Sequence, residues 1–281
     1  MKVVLFCGGM GLRLREHSET IPKPMATIGH RPILWHIMKY YAHFGHKDFI
    51  LCLGWQGNVV KEYFLNYDEC VSNDFTLSRG GTNIELINSD IDDWSITFVD
   101  TGIAANIGER LRAVEPYLAG EELFLANYAD DLTDFHLPKL IRFCRSRRAL
   151  AAFLSVRPSQ SFHTVTVSDD GVVGGIQPVT ESDVWINGGY FVLHREIFKY
   201  MRDGDDLFGE PFKRLIAEGR LAAMRYDGFW GCMDTYKEKQ QLDDMYARGI
   251  APWEVWKNAP PNGRRQAVNG NKRRAGAPGK H

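Results

Sequence analysis

The chain has 281 residues, of which 44% are hydrophobic and 25% charged, and its formal net charge is -1. This is ordinary globular composition, and the near-neutral balance predicts no nucleic-acid partner and no membrane partner. No apolar run approaches the ~20 residues that span a bilayer, and the five cysteines contain no CxxC pair, so a reduced, cytoplasmic protein without disulfide framework or zinc site is expected.

In chain order, residues 2–7 are a short apolar run ending in glycines, which predicts a buried first strand rather than a leader. Residues 31–44 carry Ile33, Leu34, Ile37, Met38, Tyr41 and Phe44 at helical spacing, with Gly45 as a stop. Strand, helix and strand follow at 48–53, 58–65 and 94–99. A helix is expected over 108–118, a strand over 123–128 and a helix over 137–147, with Asp134 as its cap. This alternation predicts an α/β fold with a Rossmann-like, mostly parallel sheet flanked by helices. From 151 the pattern becomes β-rich. Strands are expected at 151–156, 164–167, 172–176 and 186–193, with Ser168-Asp169-Asp170-Gly171 as a hairpin turn. Helices follow at 195–201, 210–218 and 236–248. Trp253 and Trp256 are expected to pack the C-terminal segment onto the body or a neighbouring subunit. Residues 1–257 thus read as one domain in two halves, an α/β half (1–150) and a β-rich and C-terminal half (151–257). Residues 258–281 are rich in Pro, Gly, Arg and Lys and read as a disordered basic tail.

The chemistry begins where the first strand ends, at Gly8-Gly9-Met10-Gly11-Leu12-Arg13. Glycines let backbone N–H groups approach a phosphate, and a following arginine can neutralise it in a bidentate way. Lys23 stands between Pro22 and Pro24, which stiffen its backbone. Glycine loop, arginine and rigid lysine together suggest a di- or triphosphate clamp. The loop is not a P-loop, because no Gly-Lys-Ser/Thr follows, and Leu14 stands where a dinucleotide fingerprint needs its third glycine.

The loop with Pro22-Lys23-Pro24-Met25 resembles the N-terminal signature of the sugar-1-phosphate nucleotidyltransferases, whose fold is GT-A-like. The branch it resembles most is glucose-1-phosphate cytidylyltransferase. Further similarity lies in Pro32 to Met38, Lys61-Glu62-Tyr63-Phe64, Val99-Asp100-Thr101-Gly102, Ile186-Asn187-Gly188-Gly189, Gly228-Phe229-Trp230, Met233-Asp234-Thr235 and Ala251-Pro252-Trp253. The resemblance implies transfer of a nucleotidyl group from a nucleoside triphosphate to a sugar 1-phosphate, giving a nucleotide sugar and pyrophosphate. It implies that Arg13 and Lys23 hold phosphates, that Gly8, Gly9, Gly11, Asp100, Thr101 and Gly102 line the nucleotide, and that Tyr128, Asn187 and Gly188 face the sugar. Asp130 and Asp234 would bind Mg²⁺ or Mn²⁺, which accepts one or two carboxylates beside phosphate oxygens. A homo-oligomer is expected by the same analogy.

Three positions depart from the pattern. Leu12 replaces a threonine. The Gly-Asp-Gly of the metal turn is Ala129-Asp130-Asp131, which adds a carboxylate available for acid–base work. The Glu-Lys-Pro whose lysine grips the sugar 1-phosphate is Gln177-Pro178-Val179. A smaller change is Gln56, where lysine is usual. These departures keep two alternatives open beside nucleotidyl transfer. One is a repurposed member that isomerises a bound nucleotide sugar, a flavin-independent pyranose/furanose mutase with Asp131 moving the proton. The other is a non-catalytic nucleotide-sugar-binding protein.

Overall fold

Residues 1–9, 21–159 and 162–258 are described by a computed structural model. By their internal contacts they form a large unit, Met1–Phe64 joined with the chain from Trp94, and a small unit containing Leu65–Asp93. The large unit opens with β1 (Val3–Phe6), a 3-10 turn (Lys23–Met25), the pair β2 (Thr27–Ile28) and β3 (Arg31–Pro32), α1 (Ile33–His43), β4 (Asp48–Leu53) and α2 (Gly57–Leu65). The small unit holds α3 (Glu69–Ser72) and the hairpin β5 (Phe75–Ser78) and β6 (Asn83–Leu86), in a stretch to which the sequence assigned no element. The large unit resumes with β7 (Ser95–Asp100), α4 (Ile107–Val114), β8 (Leu123–Asn127), β9 (Asp131–Thr133) and α5 (Pro138–Ser146). Then come β10 (Ala151–Val156), β11 (His163–Val167), β12 (Val173–Pro178), β13 (Ile186–His194), α6 (Glu210–Ala217), β14 (Leu221–Tyr226), β15 (Trp230–Cys232) and α7 (Tyr236–Ala247).

Seven strands form one sheet in the order β14-β10-β13-β8-β1-β4-β7. β8, β1, β4 and β7 are mutually parallel neighbours, as are β10 and β14, while β13 runs antiparallel to both its neighbours. Period-two alternation sends Val3 and Leu5 to one apolar cluster and Val4 and Phe6 to the other, so both faces are covered. α1 is tied to β13 through rings: Tyr40 and Tyr190 meet edge-on at 5.4 Å and Tyr41 stacks on Tyr190 at 6.0 Å. Such pairs add roughly 0.5–1.5 kcal/mol each beyond area burial. Trp253 is 1% exposed and meets the rings of His36 and Phe229, so the C-terminal segment packs on the body.

Several expected elements shift for local reasons. α1 starts at Ile33 rather than 31, because Arg31 and Pro32 pair with β2 and Pro32 holds extended ψ. The helix expected over 108–118 is α-helical only to Val114, and a 3-10 turn (Glu115–Leu118) carries Pro116, which has no N–H to continue the ladder. The segment 195–201 is also a 3-10 turn, Arg195–Tyr200. Asp134 does not cap α5, whose first turn holds Pro138 and has no side-chain cap. Its carboxylate instead accepts the Tyr226 hydroxyl at 2.5 Å and the Phe229 N–H at 3.0 Å. Among the described residues no helix is long and apolar enough to cross a membrane. The basic tail from 259 lies outside the described residues.

Candidate active site

The parallel strands β1, β4 and β7 end side by side, and the loops beyond them meet at one side chain. Arg110 of α4 is only 3% exposed. Its Nη2 donates to the carbonyl oxygens of Gly8 (3.1 Å) and Ile103 (3.3 Å). Its Nη1 donates to the carbonyl oxygen of Leu53 (3.3 Å) and to Thr101 Oγ1 (2.8 Å). The Thr101 hydroxyl donates onward to the Leu53 carbonyl at 2.8 Å. Three strand ends are therefore pinned by one guanidinium, whose burial pulls its pKa below the usual arginine value. Gly8 is required here, since a Cβ on it would overlap that guanidinium. The sequence reading missed Arg110. Its signal was an arginine at a position where α4 faces the core.

Asp100, Thr101 and Gly102 frame this region without lining the pocket. The Asp100 carboxylate accepts the Gly102 N–H at 3.0 Å, and Gly102 has φ +89°, so this is a self-held turn. The pocket wall beyond it is Ile103, Ala105, Asn106 and Ile107. Phe6, Gly9 and Arg110 line the same pocket of about 570 Å³, and across it stand Tyr128, Asp130, Asp131, Ile186, Asn187, Trp230, Cys232 and Asp234. Gly11, Leu12 and Arg13 lie outside the described residues.

Lys23 sits in the 3-10 turn that follows Pro22. Its ammonium donates to both Asp130 Oδ2 and Asp234 Oδ1. Burial works against its charge, but the Asp130 carboxylate outweighs that and holds the pKa above the usual lysine value. Asp130 lies in the turn between β8 and β9, behind Ala129, which takes φ +65°. Asp234 immediately precedes α7. Glu238 Oε2 accepts the N–H groups of Asp234 (2.9 Å) and Thr235 (2.8 Å), a capping box that fixes the backbone of Asp234. Sequence reasoning overlooked Glu238, although Thr235-x-x-Glu238 is a legible capping signature.

Asp131 begins β9, pairs with Cys232 of β15 and is 3% exposed. Burial, reinforced by the charge of Asp130, pushes its pKa well up. Its carboxylate lies against Gly189, which has φ +78° and where a Cβ would collide with both Asp131 and Tyr128. The Tyr190 hydroxyl donates to the Asp131 backbone oxygen at 2.7 Å. On the same wall Asn187 Nδ2 donates to the Tyr128 hydroxyl at 2.9 Å, Asn187 Oδ1 accepts the Gly189 N–H at 3.0 Å, and the Trp230 indole N–H donates to the Gly188 carbonyl at 2.9 Å. Gly188 thus faces Trp230 through its backbone. Gln177 and Pro178 end β12 in an outer hairpin, with Gln177 exposed.

Asp130, Asp131 and Cys232 place one donor atom each within 4.8 Å of one another. Asp130 and Asp234 also converge on one cation position, where the Lys23 ammonium stands. An oxygen donor set around a cation position fits a hard divalent ion. Cys232 fits it less well, because burial raises its pKa and keeps the thiol neutral.

A mostly parallel sheet, a pocket beyond its strand ends and a lysine-bridged aspartate pair within it define an α/β protein with its ligand-sized site where open α/β sheets carry theirs. No family profile matches the chain. It is 40% identical over 258 residues to the "Probable glucose-1-phosphate cytidylyltransferase" of Bacillus subtilis, covering 91% of this chain and 100% of that one. It is 37% identical, with the same coverage, to the glucose-1-phosphate cytidylyltransferase of Salmonella typhi. Among solved structures, apo-UDP-glucose pyrophosphorylase superposes with TM-score 0.66 at 14% identity, covering 89% of this chain and 99% of that chain. The HddC protein of Yersinia pseudotuberculosis gives TM-score 0.62 at 17% identity, covering 87% and 99%. The chain belongs to the sugar-1-phosphate nucleotidyltransferase family.

Proposed function

We propose that this pocket joins a nucleoside triphosphate to a sugar 1-phosphate, releasing pyrophosphate and a nucleotide sugar. CTP and glucose 1-phosphate are the first pair to test, given the names of the relatives. The observation that carries this reading is the Lys23 ammonium shared between Asp130 and Asp234, two carboxylates that line the same pocket as Tyr128 and Asn187. Asp130 and Asp234 would hold Mg²⁺ or Mn²⁺, which when bound withdraws charge from phosphate oxygens. Lys23 then moves from the carboxylates to the phosphates and stabilises the leaving pyrophosphate. Gly8 and Gly9, with Gly11 and Arg13 beyond them, bind the phosphates through backbone N–H and guanidinium groups. The segment Ile103–Ile107, positioned by the Asp100–Gly102 turn before it, takes the base. Tyr128, Asn187 and the Gly188 backbone orient the sugar for in-line attack, so catalysis is positioning plus positive charge. The five free cysteines suit a cytoplasmic location.

A second reading is favoured by one observation: the additional carboxylate, Asp131, is buried on the sugar side against Gly189 and Tyr128. In this reading a bound nucleotide sugar rearranges between pyranose and furanose forms. The diphosphate leaves the anomeric carbon and a sugar hydroxyl attacks it, giving its proton to Asp131; the diphosphate then returns to that carbon as the original ring C–O bond breaks, and the freed oxygen takes the proton back from Asp131. One experiment separates the two. Purified protein with Mg²⁺ or Mn²⁺ is given nucleoside triphosphates with sugar 1-phosphates, and in parallel a panel of nucleotide sugars alone. Pyrophosphate release dependent on the sugar phosphate establishes transfer. A product of equal mass from a nucleotide sugar establishes isomerisation, and unchanged isomerisation in Asp131→Ala would remove Asp131 from it. Absence of both reactions overturns both readings.

A further inference from the structure

The pocket lining holds one cation, Arg110, and Lys23 stands at the aspartate pair; among the described residues no lysine or arginine lines the side of Tyr128 and Asn187, where an incoming sugar phosphate needs one. The Gln177-Pro178 turn contains no lysine. Strand register shows what stands in its place. Asn187 of β13 pairs with Ser155 of β10, and Ser155 pairs with Arg225 of β14. Residues paired across adjacent strands project from the same face. Asn187 meets Tyr128 on the face whose apolar cluster holds Phe191, with Tyr128, Phe153 and Leu221 packed against it. Arg225 therefore projects from the pocket face, two strand spacings or roughly 10 Å beyond Asn187.

Two more side chains converge there. β13 runs antiparallel to β10, so Trp185, just before β13, lies beside Arg157, just after β10. Both guanidinium groups sit against the Trp185 indole, Arg157 at 4.7 Å and Arg225 at 4.8 Å from the ring centroid. Aromatic faces hold cations at this range. The Trp185 indole N–H donates to Asp183 at 3.0 Å. The two arginines differ in their partners. Arg157 is spoken for: its Nε pairs with Asp227 at 3.1 Å and its Nη1 donates to the Ser182 carbonyl. Arg225 is exposed, and among the described residues no carboxylate pairs with it. Its donors stay available while the indole holds it in place. An arginine positioned in this way suits bidentate contact with a phosphate.

Resting on the transferase reading above, we infer that Arg225, braced by Trp185 and Arg157, forms the subsite for the phosphate of the incoming sugar 1-phosphate. In place of a lysine absent from the Gln177-Pro178 turn, it supplies a guanidinium from the edge strand β14, two strands from Asn187. Trp185 and Arg157 are positioning residues in this scheme.

The test is calorimetric binding to the full chain. The probes are CTP and GTP on one side, and glucose 1-phosphate, mannose 1-phosphate and free glucose on the other. The proteins are wild type, Arg225→Ala, Arg225→Lys and Trp185→Leu. Arg225→Ala is expected to weaken the better-bound sugar 1-phosphate about tenfold, the scale of one charge-assisted contact. Nucleotide affinity should stay within about twofold, Arg225→Lys should recover part of the loss, and Trp185→Leu should fall between wild type and Arg225→Ala. Wild-type affinity for the sugar phosphate in Arg225→Ala would overturn the inference, as would an equal loss for nucleotide and sugar phosphate. Failure of the wild-type protein to bind any nucleotide or sugar phosphate would instead sink the transferase reading itself, and the subsite with it.

Discussion

The two walls of the pocket are built on different principles. The nucleotide wall is backbone: carbonyl and N–H groups at the ends of β1, β4 and β7, drawn together by the single buried guanidinium of Arg110. The sugar wall is side chains: Tyr128, Asn187 and Asp131 resting on a glycine backbone at β13. Backbone walls recognise what all nucleotides share, whereas side-chain walls change one residue at a time. Of the three departures from the family pattern, Asp131 falls on the side-chain wall, and the Gln177-Pro178 turn ends the outer hairpin of β11 and β12. On the proposed transferase reading, the backbone wall holds what the substrates share, and the side-chain wall is where substrate choice is to be tested.

The largest expected effect breaks both walls at their shared point. Lys23→Ala removes the one ammonium that Asp130 and Asp234 share, and activity should fall about 10²–10³-fold, the usual scale for losing one preorganised charge donor. Without substrate, the same variant takes a shared cation from two carboxylates, so its melting temperature should drop and be restored by Mn²⁺ more than in wild type. An unchanged metal response would show that Asp130 and Asp234 do not form the cation position.

Arg110 tests the nucleotide wall alone. Arg110→Met keeps the aliphatic volume and deletes four donor contacts to Gly8, Leu53, Thr101 and Ile103. Urea unfolding should show a loss of about 2–4 kcal/mol, because buried carbonyls lose partners. The KM for nucleotide should rise while the KM for the sugar phosphate stays put. Equal rises in both would mean that the two walls are not separable.

Legibility followed the same division. The strands and helices of the nucleotide half carried clean periodicity, and Lys23, Asp130 and Asp234 stood in motif context, so the sequence placed them in one site although up to 211 positions separate them. Arg110 was missed because one arginine on an amphipathic helix looks like a surface charge, although its position falls on the buried face of α4; the fold shows what it holds there, the carbonyls of Gly8, Leu53 and Ile103. Asp134 was misread for the converse reason: its spacing resembled a cap, but the Tyr226 hydroxyl and Phe229 N–H satisfy it from β14 and the turn that follows. Trp185 and Arg225 are 40 residues apart in an unremarkable stretch, and strand register alone brings them together.

The packing of α1 against the C-terminal segment, away from the pocket, predicts a pH effect of its own. His36 in α1 is 1% exposed, its Nε2 lies 3.2 Å from the Ile28 carbonyl, and its Nδ1 accepts the Trp253 indole N–H at 3.4 Å. Burial lowers its pKa to about 4. The folded state therefore binds the proton less readily than the unfolded chain, whose histidine titrates near 6.5. Stability is complete above pH ~6.5 and falls as pH drops toward 4, by up to about 3 kcal/mol. Chemical denaturation between pH 7 and 4.5 should show this slope, and His36→Gln should flatten it. A slope retained in His36→Gln would assign the acid sensitivity elsewhere.

The smallest effect lies where the two walls join. Ala129 holds φ +65° immediately before Asp130 and Asp131, and it is fully buried. Ala129→Gly relieves left-handed strain of about 1–2 kcal/mol. It also loses a buried methyl, roughly 0.8 kcal/mol, and adds unfolded-state freedom of about 0.4–1 kcal/mol. The terms nearly cancel, so stability should change by less than about 1 kcal/mol in either direction. Binding should be unchanged on both walls, because the turn already takes the conformation that glycine prefers. A large loss of metal or nucleotide affinity in Ala129→Gly would show that the methyl group, and not the backbone alone, fixes where Asp130 and Asp131 point. The joint would then belong to the side-chain wall, and the boundary between the shared clamp and the variable sugar side would move one residue toward the nucleotide.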